Sequence, residues 1–259
     1  MPNGDVVWYD DSRHAYFDRI EERPGGKWVG PTDARLPSPS TIGKLLETSN
    51  EGLLRWAART TCEGVSELGT RTIEGMAGDA IWDLLNARKL TYRDLRSKRA
   101  DEGTSVHEKI LGCLAAGERI PSLSDVSDEE RGYAQGVLAA WHDLEPKPIA
   151  CEQVVYSSEH RFAGRLDLLC LLDKKRTILD LKTGYVGNGA HTQLAGYIAA
   201  AEESGFGPIE HTLILKVTAE GGYDLIPCAA EPEHFVAALT AYRAASTVGK
   251  RSRELAKAA

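Results

Sequence analysis

The stretch RFAGRLDLLCLLDKKRTILDLKTG, Arg161 to Gly184, decides how the rest of the chain reads. Two apolar runs flank Asp173-Lys174-Lys175-Arg176, the pattern of two strands joined by a tight charged turn. Each run carries ionisable residues where core residues are expected. Asp167 sits among Leu166, Leu168 and Leu169, and Asp180 and Lys182 bracket Leu181 after Ile178 and Leu179. Side chains alternate along a strand, so Asp180 and Lys182 point the same way.

The turn decides whether Asp167 joins them, because antiparallel partners keep a constant index sum. A two-residue turn at Asp173-Lys174 sets Asp167 opposite Asp180; a four-residue turn sets it opposite Lys182. Either register predicts one shared face, with Cβ atoms roughly 4.5 to 8 Å apart. Two carboxylates and an ammonium on an apolar sheet are costly, and adjacent carboxylates raise each other's pKa. A divalent cation removes that conflict, and oxygen ligands suit Mg²⁺ or Mn²⁺ better than zinc. The same pattern equally describes a structural ion pair, Lys182 with one aspartate, on a solvent-facing strand.

The 259 residues, 42% hydrophobic, suffice for one large domain or a domain with a helical annex. A formal charge of −7 argues against a generally basic nucleic-acid binder but leaves room for a basic groove beside acidic metal ligands. Cys62, Cys113, Cys151, Cys170 and Cys228 form no CxxC pair, which predicts reduced thiols rather than disulfides, a zinc ribbon or an iron–sulfur cluster. No signal peptide and no apolar run of about 20 residues is present, so the expectation is a cytoplasmic chain without a membrane partner.

Residues 5–18 read as a small β-hairpin turning at Asp10–Arg13, followed by a Pro/Gly-rich loop from Pro24 to Pro39. Ser40 or Thr41 is expected to cap a helix with Ile42, Leu45 and Leu46, and Asn50-Glu51 to start one with Leu53, Leu54, Trp56 and Ala57. More helix is expected between Glu63 and Leu90. Thr91 caps the next, and Glu102-Gly103-Thr104 introduces a helix carrying Val106, Ile110, Cys113 and Leu114, with His107 beside that stripe. Ser127–His142 has acids in its first turn and one apolar side. Strands follow at 150–157, 161–172 and 176–183, then a Gly-rich loop and a helix from His191 to Glu203 on which Gln193 and Tyr197 share a face. Strands at 211–218 and 223–228 precede a final helix from Pro232 to about Ala245 and a mobile basic tail. The fold class is α/β (α+β): a mixed central sheet flanked by helices, with a mainly helical N-terminal part. The expected divisions are 1–100, a core at 101–249 and a tail at 250–259.

Taken together, GTSVHE (103–108), GRLD (164–167), DLKTG (180–184) and QLAGY (193–197) resemble the RecB-like branch of the PD-(D/E)XK nuclease superfamily. The four motifs stand in the family's order across about 95 residues, on the expected helix, strands and helix. LPSPSTIGKLL (36–46) and LLRWAAR (53–59) look like the N-terminal lead of phage-encoded exonucleases in this group. The late cysteine cluster of the CRISPR-associated members is missing, so no iron–sulfur cluster is expected.

The resemblance implies a restriction-endonuclease-like core and a Mg²⁺- or Mn²⁺-dependent DNA exonuclease, located in the host cytoplasm where phage-encoded. It implies that Asp167, Asp180 and the Leu181 carbonyl bind metal, with His107 adding a nitrogen ligand or holding a metal-bound water. Lys182 would orient the attacking water, and Glu152 would support the site or a second metal. Gln193, Tyr197 and Thr183 would contact DNA or brace Lys182. By residue type alone, His107 also reads as a helix histidine satisfied by a neighbour, Glu152 as a surface-strand residue, and Gln193 and Tyr197 as helix packing. Arg88, Lys89, Arg93, Arg96, Lys98 and Arg99 read as a DNA path or as a solvated helix face. DNA is the implied partner, with a single-strand annealing or other recombination protein beside it. A nonhydrolytic DNA-binding or recombination-partner protein of the same fold is the alternative, and a sheet protein acting through a protein interface the third reading.

Overall fold

The computed structural model describes residues 6–23, 27–46, 50–94, 105–117 and 126–258. Arg96, Lys98, Arg99 and the Glu102–Thr104 helix start lie outside them. The expected hairpin forms: β1 (Trp8–Asp10) and β2 (Ala15–Phe17) pair antiparallel across a 3-10 turn, and β5 (Arg35–Leu36) adds to β2. A second antiparallel pair joins β3 (Glu21–Arg23) to β4 (Lys27–Val29), and β4 falls within the stretch read as loop. The first helix, α1 (Pro39–Gly43), is capped by Ser38 rather than by Ser40 or Thr41. Pro39 explains the shift, because its fixed φ and missing N–H suit the first helical position and put the cap one residue earlier.

α2 (Asn50–Leu68), α3 (Thr70–Ile73) and α4 (Gly78–Ala87) follow, and Thr91 accepts from the Asp94 N–H as the expected cap. A π-helical turn, His107–Leu111, runs into α5 (Gly112–Ala116), and α6 (Asp128–Leu144) completes the mainly helical N-terminal part. Then come β6 (Lys147–Ser157), β7 (Phe162–Leu172), β8 (Lys175–Lys182), α7 (Asn188–Ala201), β9 (His211–Val217), β10 (Tyr223–Pro227) and α8 (Pro232–Ala258). The last helix does not stop near Ala245 and leave a mobile tail. Beyond Gly249 every residue but Ser252 is Lys, Arg, Glu, Ala or Leu, all good helix formers, and Lys257 lies in the last turn, where the dipole favours a cation.

The sheet order is β10-β9-β8-β7-β6, parallel between β8 and β9 and antiparallel elsewhere. The fold is thus mixed α/β with a five-stranded mixed sheet. Alternation along β8 and β9 builds two core layers. Ile178 and Ile214 join Leu194 of α7, Phe235 of α8 and Ile42 of α1 on one face. Leu179, Leu181, Leu215 and Val217 meet Val106, Ile110 and Val137 on the other. Among the described residues no helix is long and apolar enough to cross a membrane.

The second layer needs α6 close to the β9–β10 turn. A Cβ at Gly132 would stand 1.7 Å from the Ala219 carbonyl oxygen, so only glycine fits that approach. Upstream, the helix begins with a capping box: the Glu130 N–H donates to Ser127 Oγ, and the Ser127 N–H donates to Glu130 Oε2, each at 3.3 Å. Burial raises the Glu130 carboxyl, but neighbouring donors, Ser127 among them, outweigh it and the net shift is downward.

Two outcomes follow. Gly132→Ala gains about 1 kcal/mol of helix propensity but loses about 1–3 kcal/mol to overpacking against backbone, so its melting temperature falls. A depressed carboxyl contributes stability above its unfolded pKa of about 4.3 and loses it as pH falls through the lower folded value. Glu130→Gln therefore costs about 0.5–1 kcal/mol at pH 7, and in urea denaturation the gap narrows below about pH 4; an equal gap at both pH values counts against the capping role.

Candidate metal centre

The β7–β8 ladder runs from Leu172–Lys175 to Leu168–Leu179, with a constant sum that fixes the two-residue turn. Asp173 (φ 50°) and Lys174 (φ 67°) are both left-handed, as the mirror-image hairpin turn requires. By this count Asp167 faces Asp180, yet the ladder ends one pair earlier. β8 continues to pair with β9 as far as Lys182–Lys216, so it is β7 that parts from it. The Leu181 N–H donates to Asp167 Oδ2 at 2.8 Å, so a carboxylate replaces a strand in the opening.

Strict alternation is lost at this point. Leu166 packs in the layer with Ile178 while Leu168 packs in the opposite layer, although they are two residues apart. The expectation of one shared face therefore holds for Asp180 and Lys182 and is interrupted at Asp167. Across the other edge, Cys151–Leu168 and Gln153–Leu166 are paired, which leaves Glu152 opposite Asp167 without a ladder bond. Glu152 has φ 49°, a left-handed conformation costing on the order of 1–3 kcal/mol for a residue with a side chain. Its Oε2 pairs with Arg165 Nε at 2.8 Å.

His107 closes the group from the π-helical turn, where the Gly112 N–H reaches back to the His107 carbonyl. Its Nε2 lies 3.1 Å from the Leu181 oxygen, and a carbonyl only accepts, so the proton is on Nε2. In the neutral ring Nδ1 then presents its lone pair, 3.4 Å from Asp167 Oδ2 and 3.8 Å from Glu152 Oε1. One donor atom each from His107, Glu152 and Asp167 lies within 4.8 Å of the others. Ligands bound at about 2.1 Å stand at most about 4.2 Å apart, so a small contraction closes this triad on a hard divalent cation. A backbone carbonyl holding the far nitrogen of a ligating imidazole is the usual support for such a ligand.

Asp180 lies beside the triad and has different partners. It is fully buried, its Oδ1 accepting from Gln193 Nε2 at 3.0 Å and its Oδ2 in an ion pair with Lys182 Nζ. Gln193 Nε2 also reaches Tyr197 Oη at 3.3 Å, and Tyr197 can come this close to β7 because Gly164 has no Cβ to meet it. Leu181 joins the two halves, its N–H on Asp167 and its carbonyl on His107. Thr183 follows the end of β8, half-buried, and among the described residues no hydrogen bond ties its side chain to the cluster.

Burial opposes charge on the imidazole, but Asp167, Glu152 and Asp180 outweigh it and raise the His107 pKa. Burial likewise works against the Lys182 ammonium, which Asp180 and Asp167 hold protonated. Burial drives the Asp180 carboxyl up against the pull of Lys182. With His107 neutral, the three carboxylates exceed Lys182 and Arg165 by one charge, an imbalance of the right sign for a cation. Burial, with Glu152 and Asp167 adding to it, pushes the Cys151 thiol up to about 11, so it stays protonated and is neither a soft ligand nor a nucleophile at neutral pH.

No family model matches the chain. A search of curated proteins likewise found no match.

The triad contains three of the residues picked from the sequence, with Glu152 at the centre rather than behind it. The Leu181 carbonyl, expected as a ligand, accepts from His107, which leaves its second lone pair uncommitted by that bond. The residue that sequence reading missed is Arg165. Its signal was a cation inside the apolar run of β7, two positions before Asp167.

Gln193 supplies the donor for an otherwise apolar-walled carboxylate oxygen. Gln193→Leu leaves Asp180 Oδ1 without it and costs about 1–3 kcal/mol, measurable by chemical denaturation, while Gln193→Asn, one methylene short, loses a similar amount.

Proposed function

We propose that this chain is a metal-dependent deoxyribonuclease acting from DNA ends, with Mg²⁺ or Mn²⁺ as its cofactor. The observation that carries the reading is the meeting of the His107–Glu152–Asp167 triad with the Asp180–Lys182 pair where β7 and β8 part. Two carboxylate oxygens and one imidazole nitrogen, in a site one negative charge in excess when His107 is neutral, fit a hard divalent ion. A cation bound there supplies Lewis acidity toward a phosphodiester and lowers the pKa of water.

The chain's own groups take the remaining tasks. Glu152, Asp167 and His107 Nδ1 hold the ion, with Asp180 at its flank. Lys182, a quarter exposed and held protonated, presents its ammonium to the phosphate, where it orients the attacking water and offsets the charge developing at phosphorus. Gln193 and Tyr197 fix Asp180, and through it Lys182. The protonated Cys151 and Cys170, both pushed up to about 11 by burial, leave direct hydrolysis by water rather than a covalent thiol route. The four-motif resemblance supports DNA as the substrate, and a single-strand annealing or other recombination protein is the partner it suggests.

End-labelled linear DNA and closed circular DNA, each incubated with Mg²⁺, Mn²⁺ or Zn²⁺, test this together. Linear DNA is degraded with Mg²⁺ or Mn²⁺, circles survive, and EDTA stops the reaction. Asp180→Ala and Lys182→Ala, checked by circular dichroism for an intact fold, each lose at least about a hundredfold in rate. Cleavage by Lys182→Ala equal to that of the parent removes the mechanism.

A further inference from the structure

A groove of about 710 Å³ opens where the N-terminal strands, the β6–β7 turn and the exposed side of α8 come together. Four cationic side chains line it, Arg35, Arg161, Arg243 and Lys250, against one acid, Glu159. In a chain of net charge −7 this is a local reversal of sign. Hydroxyls from both walls, Ser38 and Thr41 on one and Ser246 on the other, line it too, while the Thr247 hydroxyl donates to the Arg243 carbonyl.

The walls are fixed before any ligand arrives. Arg243 Nη2 donates to the carbonyls of His160 (2.6 Å) and Arg161 (3.0 Å), clamping α8 to the turn. Arg161 Nη2 pairs with Asp18 at 2.5 Å, tying the same turn to the N-terminal layer. That leaves Arg35 and Lys250, both exposed and, among the described residues, without an ion-pair partner, on opposite walls. One wall of the groove is linked to the metal centre through packed side chains. Tyr16 lines it and packs on Tyr9 with ring centroids 4.9 Å apart, Arg165 sits 5.5 Å above the Tyr9 ring, and Arg165 holds Glu152. Arg161 precedes Asp167 by six residues, at most about 20 Å of extended strand, and one DNA strand carries about six phosphates over that length.

We propose that this groove binds the phosphate backbone of a nucleic-acid strand that runs on into the metal centre, with Arg35 and Lys250 as the phosphate contacts. The choice of ligand rests on the hydrolytic reading above. The repeating charge of a strand matches cations spaced along a groove, and the six residues from Arg161 to Asp167 set the metal centre within about 20 Å of it.

The test separates this proposal from the hydrolytic one by measuring binding with the metal chelated. Fluorescence anisotropy of labelled single-stranded and duplex oligonucleotides is followed in EDTA, across salt concentrations, for the full chain and for Arg35→Gln/Lys250→Gln and Arg35→Glu/Lys250→Glu. Both positions are exposed, so melting temperatures stay close to the parent's. The neutral pair weakens duplex binding on the order of tenfold and lowers the salt slope by about 1.8, or about 0.9 for each phosphate that goes unneutralised; the reversed pair weakens it further. An unchanged Kd and slope overturns the groove, as does polyglutamate competing as strongly as oligonucleotide at equal charge, which assigns it to an acidic protein. Binding that depends on both residues in a protein that never cuts DNA upholds the groove and removes only the hydrolytic reading. Cleavage by a protein whose binding ignores both residues overturns the groove alone.

Discussion

The hydrogen bond from the Leu181 N–H to the Asp167 carboxylate holds the centre of this structure together. Two strands that separate inside a sheet expose backbone donors and acceptors in a dry interior, and each one left unmet costs about 1–3 kcal/mol. Here the donor is met by a carboxylate from the departing strand and the carbonyl of the same residue by an imidazole from the facing helix turn. Both backbone groups of Leu181 are therefore bonded although the strands stay apart there. Because β8 stays in parallel register with β9 through Lys182, the opening has one rigid wall, against which Asp167, His107 and Lys182 are all placed.

Such an arrangement is poorly explained as a stabilising device. Removing an aspartate–lysine pair from water costs several kcal/mol per ion, and a hydrophobic pair of equal volume generally serves the fold as well or better. Asp180 is nonetheless completely buried, and its two oxygens are divided between an ammonium and an amide. The Glu152 backbone is held left-handed in the middle of a strand, a further cost borne at the same spot. Strain and buried charge concentrated within a few residues of one another are the usual marks of a site kept for chemistry.

Much of this was legible in the residues. The index-sum argument gave two registers, and the one requiring a two-residue turn is the one formed. The element order β-β-β-α-β-β-α and the shared face of Gln193 and Tyr197 follow from local periodicity, and they stand as periodicity predicts. What local rules missed is non-local. Alternation predicts that Asp167 shares a face with Asp180, but the parting of β7 from β8 depends on the Leu181 amide fourteen residues away. The π-helical turn that aims His107 leaves no imprint in an apolar spacing of three and four. At the far end, the run of basic residues suggested a mobile tail, whereas the helix-forming composition around them carries α8 to Ala258.

The N-terminal strands belong to this account as structure that bears on the site. Ile42 sits in the main core layer, the Ala163 N–H donates to the Pro37 carbonyl, and Tyr16, Leu36 and Ala163 share a cluster, so β2, β5 and the start of α1 pack on β7 itself. Through the Tyr9 ring they also meet Arg165, whose guanidinium is the partner of Glu152. A carboxylate in a strained backbone conformation needs its direction fixed by something stiff. An aromatic ring beneath a planar guanidinium does this better than a lysine on water would, since the ring limits both the position and the tilt of the plane that the carboxylate meets. The small N-terminal layer thus sets the geometry of the third triad member, and the cluster is complete only when sheet, helix turn and N-terminal strands are all in place.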